Sequence, residues 1–364
     1  MIPPFTAQVP ADEIETTVTA VREILQSGQL ILGKHTEAFE ATVARMAGTR
    51  YAVAVNSGTI ALEIIFRSIG VQGRTVLVPT NTNYATAAAA INAGAAIRVY
   101  DSGLYPDITD AQRKLTPDVA AVVVVHIGGY LSPELPALVE KCTATGIPLV
   151  EDAAHAHGSS LETQLAGGIG YAGAFSFFTT KVVSTGGEGG AITTNDPDLN
   201  RTARMYRDQG KDPAGRHILW GGSWRMTEIG AALGKAQLDH LNHDIQSRTA
   251  VIDRYTEALS DAGLTFPTRY GEVSGHKCVT ILDSHTDRAR LREQLHTRGI
   301  GLGKGVYDQP LHTLPVLERF NLGADFPRAD EFAARHMCLP LWRGMPASTV
   351  DEVIDTVHGC LTKG

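Results

Sequence analysis

The chain has 364 residues, 43% of them apolar and 20% charged, with a formal net charge of −7. It is too long for one small domain and apolar enough to bury a large core, and its acidic balance, with no long basic run, argues against nucleic acid or an anionic membrane as a main partner. Cys142, Cys278, Cys338 and Cys360 are scattered without paired ligand spacing, so neither a metal site nor a disulfide framework is expected. Met1-Ile2-Pro3-Pro4 does not open a signal peptide and no uncharged run approaches the roughly 18 apolar residues of a membrane span, so the expectation is a soluble, cytoplasmic protein.

Residues 11–26 carry apolar side chains at helical spacing, with Asp12 and Glu13 near the positive end of the helix dipole and Ser27-Gly28 as a stop. A second helix is predicted over 35–47, followed by a short buried strand over 51–55. Asn56-Ser57-Gly58-Thr59 then opens a helix running through Phe66. Small residues there let backbone N–H groups face a phosphate, with the Thr59 hydroxyl as an added donor; the plainer reading is a strand-to-helix turn with a capping Ser or Thr. A strand over 75–78 ends in the loop 79–86, and 87–94 and 133–145 read as crossover helices. The runs 122–126 and 147–150 read as buried strands of a parallel sheet. Together these βα repeats predict an α/β fold with a doubly wound, mainly parallel sheet.

The second of those strands ends in Glu151-Asp152-Ala153-Ala154-His155-Ala156-His157-Gly158. A carboxylate there lies where open α/β sheets bind ligands, although an Asp after a strand also commonly caps a helix. Twenty-nine residues on (181 − 152), the stretch Ala174–Lys181 reads as a short apolar strand delivering Lys181 into a glycine-rich turn, 186–190, that leaves room for a flat ligand. Most lysines are solvated surface groups. A presented lysine of lowered pKa, however, forms Schiff bases with aldehydes, as in pyridoxal phosphate (PLP) enzymes, and an aspartate beside the PLP ring nitrogen keeps that nitrogen protonated.

Leu199 to Arg207 reads as a helix whose arginines form a solvated face, and 208–222 as a mobile loop near the site's mouth or a plain linker. Ser223-Trp224-Arg225-Met226-Thr227-Glu228 opens a long amphipathic helix to about Leu259, broken near Asn242-His243. The expected domains are a large unit, 1–245, and a smaller C-terminal α+β unit, 246–364, holding a strand over 276–282 and helices over 287–298 and 348–360. Between them, Gly303-Lys304-Gly305-Val306-Tyr307-Asp308-Gln309-Pro310-Leu311-His312 is a candidate for substrate contacts.

In several ordered motifs the chain resembles the PLP-dependent sugar aminotransferases of the DegT/DnrJ/StrS type. They are Ser27-Gly28 with Gly33, Asn56 to Leu62, Glu151 to Gly158, Ser176-Phe177 with Thr180-Lys181, Gly187 to Gly190, Arg225 to Glu228, and Pro310-Leu311-His312. The resemblance implies the PLP-dependent transferase fold type I, with Lys181 as the Schiff-base lysine and Asp152 at the ring nitrogen. Ser57, Gly58 and Thr59 would lie at the phosphate, with Ser176 among the cofactor neighbours. Asn83 falls where the family usually stacks an aromatic ring on the cofactor. His155 falls where a Gln or His contacts the ring hydroxyl, although it could equally be a satisfied histidine one layer back; as a group titrating near neutrality it could alter the cofactor's electronics. Ser223 replaces an asparagine that reaches the phosphate of the neighbouring subunit, so a homodimer with shared active sites is implied. The implied reaction is amination of a keto-sugar, nucleotide-linked, at the expense of glutamate or glutamine, with pyridoxamine phosphate as the intermediate cofactor form. The same family includes enzymes acting on keto-cyclitols and aminohydroxybenzoate synthase-like enzymes, and its dehydratases carry histidine in place of the lysine. From another class, a non-catalytic PLP-binding regulatory protein is the alternative.

Overall fold

A computed structural model of the protein describes residues 1–303 and 305–362. The helices are α1 (Ala11–Ser27), α2 (Lys34–Ala47), α3 (Gly58–Ile69), α4 (Tyr84–Asn92), α5 (Ile108–Arg113), α6 (Leu135–Thr145), α7 (Pro197–Arg207), α8 (Glu228–Asp239), α9 (Leu241–Leu259), α10 (Arg288–Thr297), α11 (Pro327–Arg335) and α12 (Ala347–Leu361). The strands are β1 (Tyr51–Val55), β2 (Thr75–Pro79), β3 (Ala96–Tyr100), β4 (Val119–Val125), β5 (Leu149–Asp152), β6 (Ser160–Leu161), β7 (Gln164–Leu165), β8 (Ala172–Ser176), β9 (Gly190–Thr194), β10 (Leu264–Thr265), β11 (Cys278–Leu282) and β12 (His336–Leu339). Among the described residues no helix is long and apolar enough to cross a membrane.

The main sheet runs β1-β9-β8-β5-β4-β2-β3. Its β2–β3, β2–β4, β4–β5 and β5–β8 pairs are parallel, whereas β9 is antiparallel to both β1 and β8. The reason β4 is a run of valines is visible in its packing. Val123 and Val125 join one core with Ile64, Ile65 and Phe66 of α3, while Val122 and Val124 join a second core with Phe39 of α2 and Leu135 of α6. A strand buried on both faces needs apolar side chains on both, and each such residue contributes roughly 1.5–3 kcal/mol through burial.

A third core lies around the antiparallel sheet β10-β11-β12 and joins residues of α9, α10 and α12. Residue 245 falls inside the unbroken helix α9: Leu241 and Ile245 pack in the second core, and Val251, Ile252, Tyr255 and Leu259 in the third. The chain's first residues return to this same region. Ile2 N–H donates to Gly299 O at 2.7 Å, and the Ile2 carbonyl accepts from Gly301 N–H at 2.8 Å.

Several expectations shift. Ser27-Gly28 does end α1, with Gly28 at φ 72° donating back to Ile24. The long C-terminal helix begins at Glu228 instead of Ser223 and breaks at His240, close to the expected Asn242-His243. Thr227 explains that start, its hydroxyl accepting from Gly230 N–H at 3.1 Å as the cap of α8. Glu228 serves another helix: it is buried, and its carboxylate accepts from Gly33, His35 and Thr36 N–H at 2.9 Å each and from the Thr36 hydroxyl, so it closes the N-terminus of α2 across nearly two hundred residues. The expected solvated arginine face of α7 is only partly so, because Arg207 is buried, pairing with Glu40 and donating to Ala54 O at 2.9 Å. The strands β3, β9 and β12 and the helices α5 and α11 carried no expectation of their own.

Candidate active site

At β5 the alternation of side chains sends adjacent carboxylates in different directions. Glu151 is fully buried behind the sheet end, where it accepts from Gly167, Ile169 and Gly170 N–H and from His126 Nε2. Asp152 faces the other way into a cavity of about 230 Å³, accepting from the Thr86 hydroxyl at 2.7 Å and from Ala154 N–H at 3.2 Å. No helix begins after Asp152, so it is not a helix cap. Burial pushes its carboxyl above the usual range, against the stabilising bonds from Thr86 and Ala154 and the charge of Lys181.

Lys181 lines the same cavity but does not stand on a strand. β8 ends at Ser176, and the lysine follows in a tight loop held by Thr179 N–H to Gly187 O (3.1 Å), Lys181 N–H to Phe178 O (2.9 Å) and Thr185 N–H to Phe177 O (3.0 Å). It is half-buried, and burial lowers the pKa of its amine to about 8, with Lys277 adding to the depression and Asp152 opposing it. Two of the glycines after it serve close approach and not room for a ring: a Cβ on Gly190 would stand 2.2 Å from Ser57 O, so Gly190 lets the backbone entering β9 close onto the start of α3, and one on Gly189 would stand 2.0 Å from Thr185 Oγ1, whereas Gly187 has open space around it.

The α3 N-terminus completes the cavity. Ser57 caps it by accepting from Ile60 N–H at 3.2 Å, and Ser57, Gly58 and Thr59 line the space together with Asp152, Ser176 and Lys181. Gly58 is held small from behind, since a Cβ there would meet Ser176 Cβ at 2.8 Å. Asn83 also lines the cavity, and its side chain caps α4 by accepting from Ala85 N–H at 2.9 Å, which starts that helix three residues earlier than expected.

His155 lies one step away, in a neighbouring cavity of about 650 Å³ that it lines with Asn83, Lys181, His276, Lys277 and Tyr307. Its ring is stacked between His276 (centroids 4.1 Å) and Tyr307 (5.6 Å), and its Nδ1 accepts from Gly128 N–H at 3.3 Å. Burial first, then the charges of Lys181 and Lys277, push its pKa well below the ordinary value. His155 is therefore a neutral imidazole, not the group titrating near neutrality that its residue type suggested.

Ser223 lines neither cavity of its own chain. It is exposed, its hydroxyl accepts from Arg225 Nη2 at 3.3 Å, and its backbone bridges to Asp208. The 208–222 loop also stays away from both cavities; it is bonded to itself through Gln209 N–H to Gly222 O and Ile218 N–H to Gly210 O, and it displays Trp220 at 90% exposure. In the 303–312 stretch Lys304 lies outside the described residues. Pro310-Leu311-His312 acts as a latch: Leu311 N–H donates to Thr80 O at 2.7 Å, and His312 Nδ1 meets the Thr80 hydroxyl at 2.9 Å. Gly305 to Gln309 line the larger cavity. Thr86, Glu188, His276, Lys277 and Tyr307 line or brace the two cavities without having been singled out individually, and only Tyr307 lay inside a stretch already marked for substrate contacts.

The DegT/DnrJ/EryC1/StrS aminotransferase family matches residues 11–358. The dTDP-3-amino-3,4,6-trideoxy-alpha-D-glucose transaminase of Micromonospora megalomicea subsp. nigra is 31% identical over 355 residues, 94% of each chain. The solved structure of S. venezuelae DesV is 30% identical and superposes with a TM-score of 0.92 over 99% of this chain and 98% of its own. The PLP-form of Spr1654 from Streptococcus pneumoniae, at 26% identity, covers 100% of this chain and 99% of its own with a TM-score of 0.90.

Proposed function

Because the chain belongs to the DegT/DnrJ/EryC1/StrS aminotransferase family, we propose that it moves an amino group from glutamate or glutamine to a nucleotide-linked keto-sugar, using PLP, in the making of an amino-sugar. The observation that carries this is the meeting of three features on one cavity: a lysine amine of lowered pKa, a buried carboxylate and the N-terminus of a twelve-residue helix. The dTDP-sugar named for the Micromonospora relative supports the nucleotide-linked acceptor.

These residues fit PLP by chemistry. The α3 N-terminus, with Ser57, Gly58 and Thr59, would hold its phosphate. Asp152 would keep a proton on its ring nitrogen, and Thr86, bonded to Asp152, fixes that carboxylate's orientation. When bound, PLP supplies an aldehyde for the donor's amino group and a ring that stabilises negative charge at the donor's α-carbon. Lys181 Nζ would then be the base that takes the donor's α-proton and delivers it to the cofactor carbon that had carried the aldehyde; a pKa of about 8 suits that exchange near neutral pH. The stacked, neutral His155 is one layer removed and orients the neighbouring surface instead of exchanging protons.

The active unit is a cytoplasmic homodimer in which Ser223 of one subunit serves the neighbour's phosphate site. Its exposure, its distance from the cavities of its own chain and the projecting Trp220 support that arrangement. The division at residue 245 is supported by the change of core along α9. The test for the whole reading is borohydride reduction of protein loaded with PLP, followed by peptide mass mapping. Label on the peptide carrying Lys181 is expected, together with amine transfer from L-glutamate or L-glutamine; label elsewhere overturns it.

A further inference from the structure

The larger cavity contains a cation that the reaction as described leaves unused. Lys277 sits just before β11, where Cys278 is buried in the third core and Val279 in the first, so the backbone that presents Lys277 is pinned from both sides. Its half-buried side chain lines the cavity beside Lys181, His155 and His276. Asp308, the carboxylate in that lining, is already engaged by Arg288 and Arg292 (3.6 Å each) and by His336 Nε2 (3.3 Å). The charge of Lys181 is offset by Asp152, so Lys277 is the cation facing this space that has no carboxylate partner among the described residues. That arrangement is unfavourable when the space holds only solvent and favourable once an anion enters.

Resting on the proposed function, we propose that Lys277 is the oxyanion anchor of the substrate cavity, a specificity-determining residue that pairs with an anionic group of the reacting molecules. The chemistry is that of a point-charge ammonium meeting a carboxylate or phosphate oxygen. Two sources supply such a group: the carboxylate of the amino donor, and the diphosphate of a nucleotide-linked acceptor. In both cases the anion is fixed on the same side of Lys181, which turns the reacting carbon toward Nζ.

The experiment uses PLP-loaded wild type, Lys277→Met, which keeps the unbranched stem, and Lys277→Arg, which keeps the charge, with equal melting temperatures as the check on folding. Each protein is mixed with L-glutamate alone, the cofactor absorbance following the first half-reaction, and is separately titrated with inorganic pyrophosphate by calorimetry. If the donor carboxylate is the partner, K277M raises the glutamate concentration for half-saturation about 10- to 100-fold while the limiting rate stays within about twofold, and K277R restores much of the loss. If the acceptor diphosphate is the partner, glutamate saturation is unchanged and pyrophosphate binding weakens by a similar factor in K277M, again with recovery in K277R. Unchanged glutamate saturation together with unchanged pyrophosphate binding overturns the inference, as does a fall in limiting rate with no change in either. A wild type that holds PLP but reacts with neither L-glutamate nor L-glutamine sinks the proposed function instead, and pyrophosphate binding then decides the anchor alone.

Discussion

Glu151 and Asp152 are chemically similar neighbours on β5, yet they sit in opposite electrostatic situations. Glu151 accepts four hydrogen bonds, three of them from backbone N–H groups within 2.8 Å. Asp152 accepts two, one of them long at 3.2 Å, and is buried against a cavity that Lys181 also lines, whose charge opposes the upward push of burial on its carboxyl. A carboxylate whose lone pairs are saturated by fixed donors locks a fold. One left with spare acceptor capacity in a low-dielectric pocket is poised for an incoming donor. The carboxylate behind the sheet is thus saturated by fixed donors, and the one in front keeps capacity for another.

The largest expected effect comes from removing the cavity's lysine. Lys181→Ala is expected to cut amine transfer by roughly 10³-fold or more while leaving the melting temperature within a few degrees, measured by single-turnover assay and thermal unfolding. Glu151→Ala should do the reverse. It strands three backbone donors and His126 in the interior, so a loss of about 3–5 kcal/mol of stability is expected from denaturant unfolding, and any correctly folded fraction should retain normal PLP binding. Asp152→Ala comes next, with about a 10²-fold loss of amine transfer and little loss of stability. If this variant unfolds as readily as the Glu151 variant, the two carboxylates are not divided as described. The smallest effect concerns pH. The neutral amine is the nucleophile, and Lys181 deprotonates at about 8. Capture of PLP by the apoprotein should therefore speed up about tenfold per pH unit below that value and level off above it. A rate still climbing at pH 10 would mean an ordinary, solvated lysine.

The sequence shows the front of the sheet more readily than the back. Asp152, Lys181 and the Ser57-Gly58-Thr59 turn were legible because each ends or follows an apolar strand, and strand ends in α/β sheets face one crevice whatever the side chains elsewhere. The saturating environment of Glu151 was not legible, since its donors come from residues 167–170, a loop with no periodicity of its own. Lys277 and His276 reach the cavity from the start of a strand in the C-terminal third, where nothing local marks a lysine as facing inward. Arg207 misled for a related reason: a charged residue on an amphipathic helix reads as solvent-facing until its partner, Glu40, is seen 167 residues away. Glycines 189 and 190 were read as space for a ligand, whereas they serve close approach, and sequence alone does not separate the two uses of a missing Cβ.

The two long-range ties of the N-terminal segment also set an order of events during synthesis. Ile2 has its hydrogen-bond partners at Gly299 and Gly301, and α2 receives its cap from Glu228. A chain emerging from the ribosome has neither partner when α1 and α2 leave the exit tunnel, so at roughly 5–20 residues per second the first helices wait on the order of 10–60 seconds, unanchored, while the sheet is still being made. During that interval both helices lack these ties, and for α1 the folded chain adds little cover, since Ile14, Val18 and Leu25 stay exposed in it.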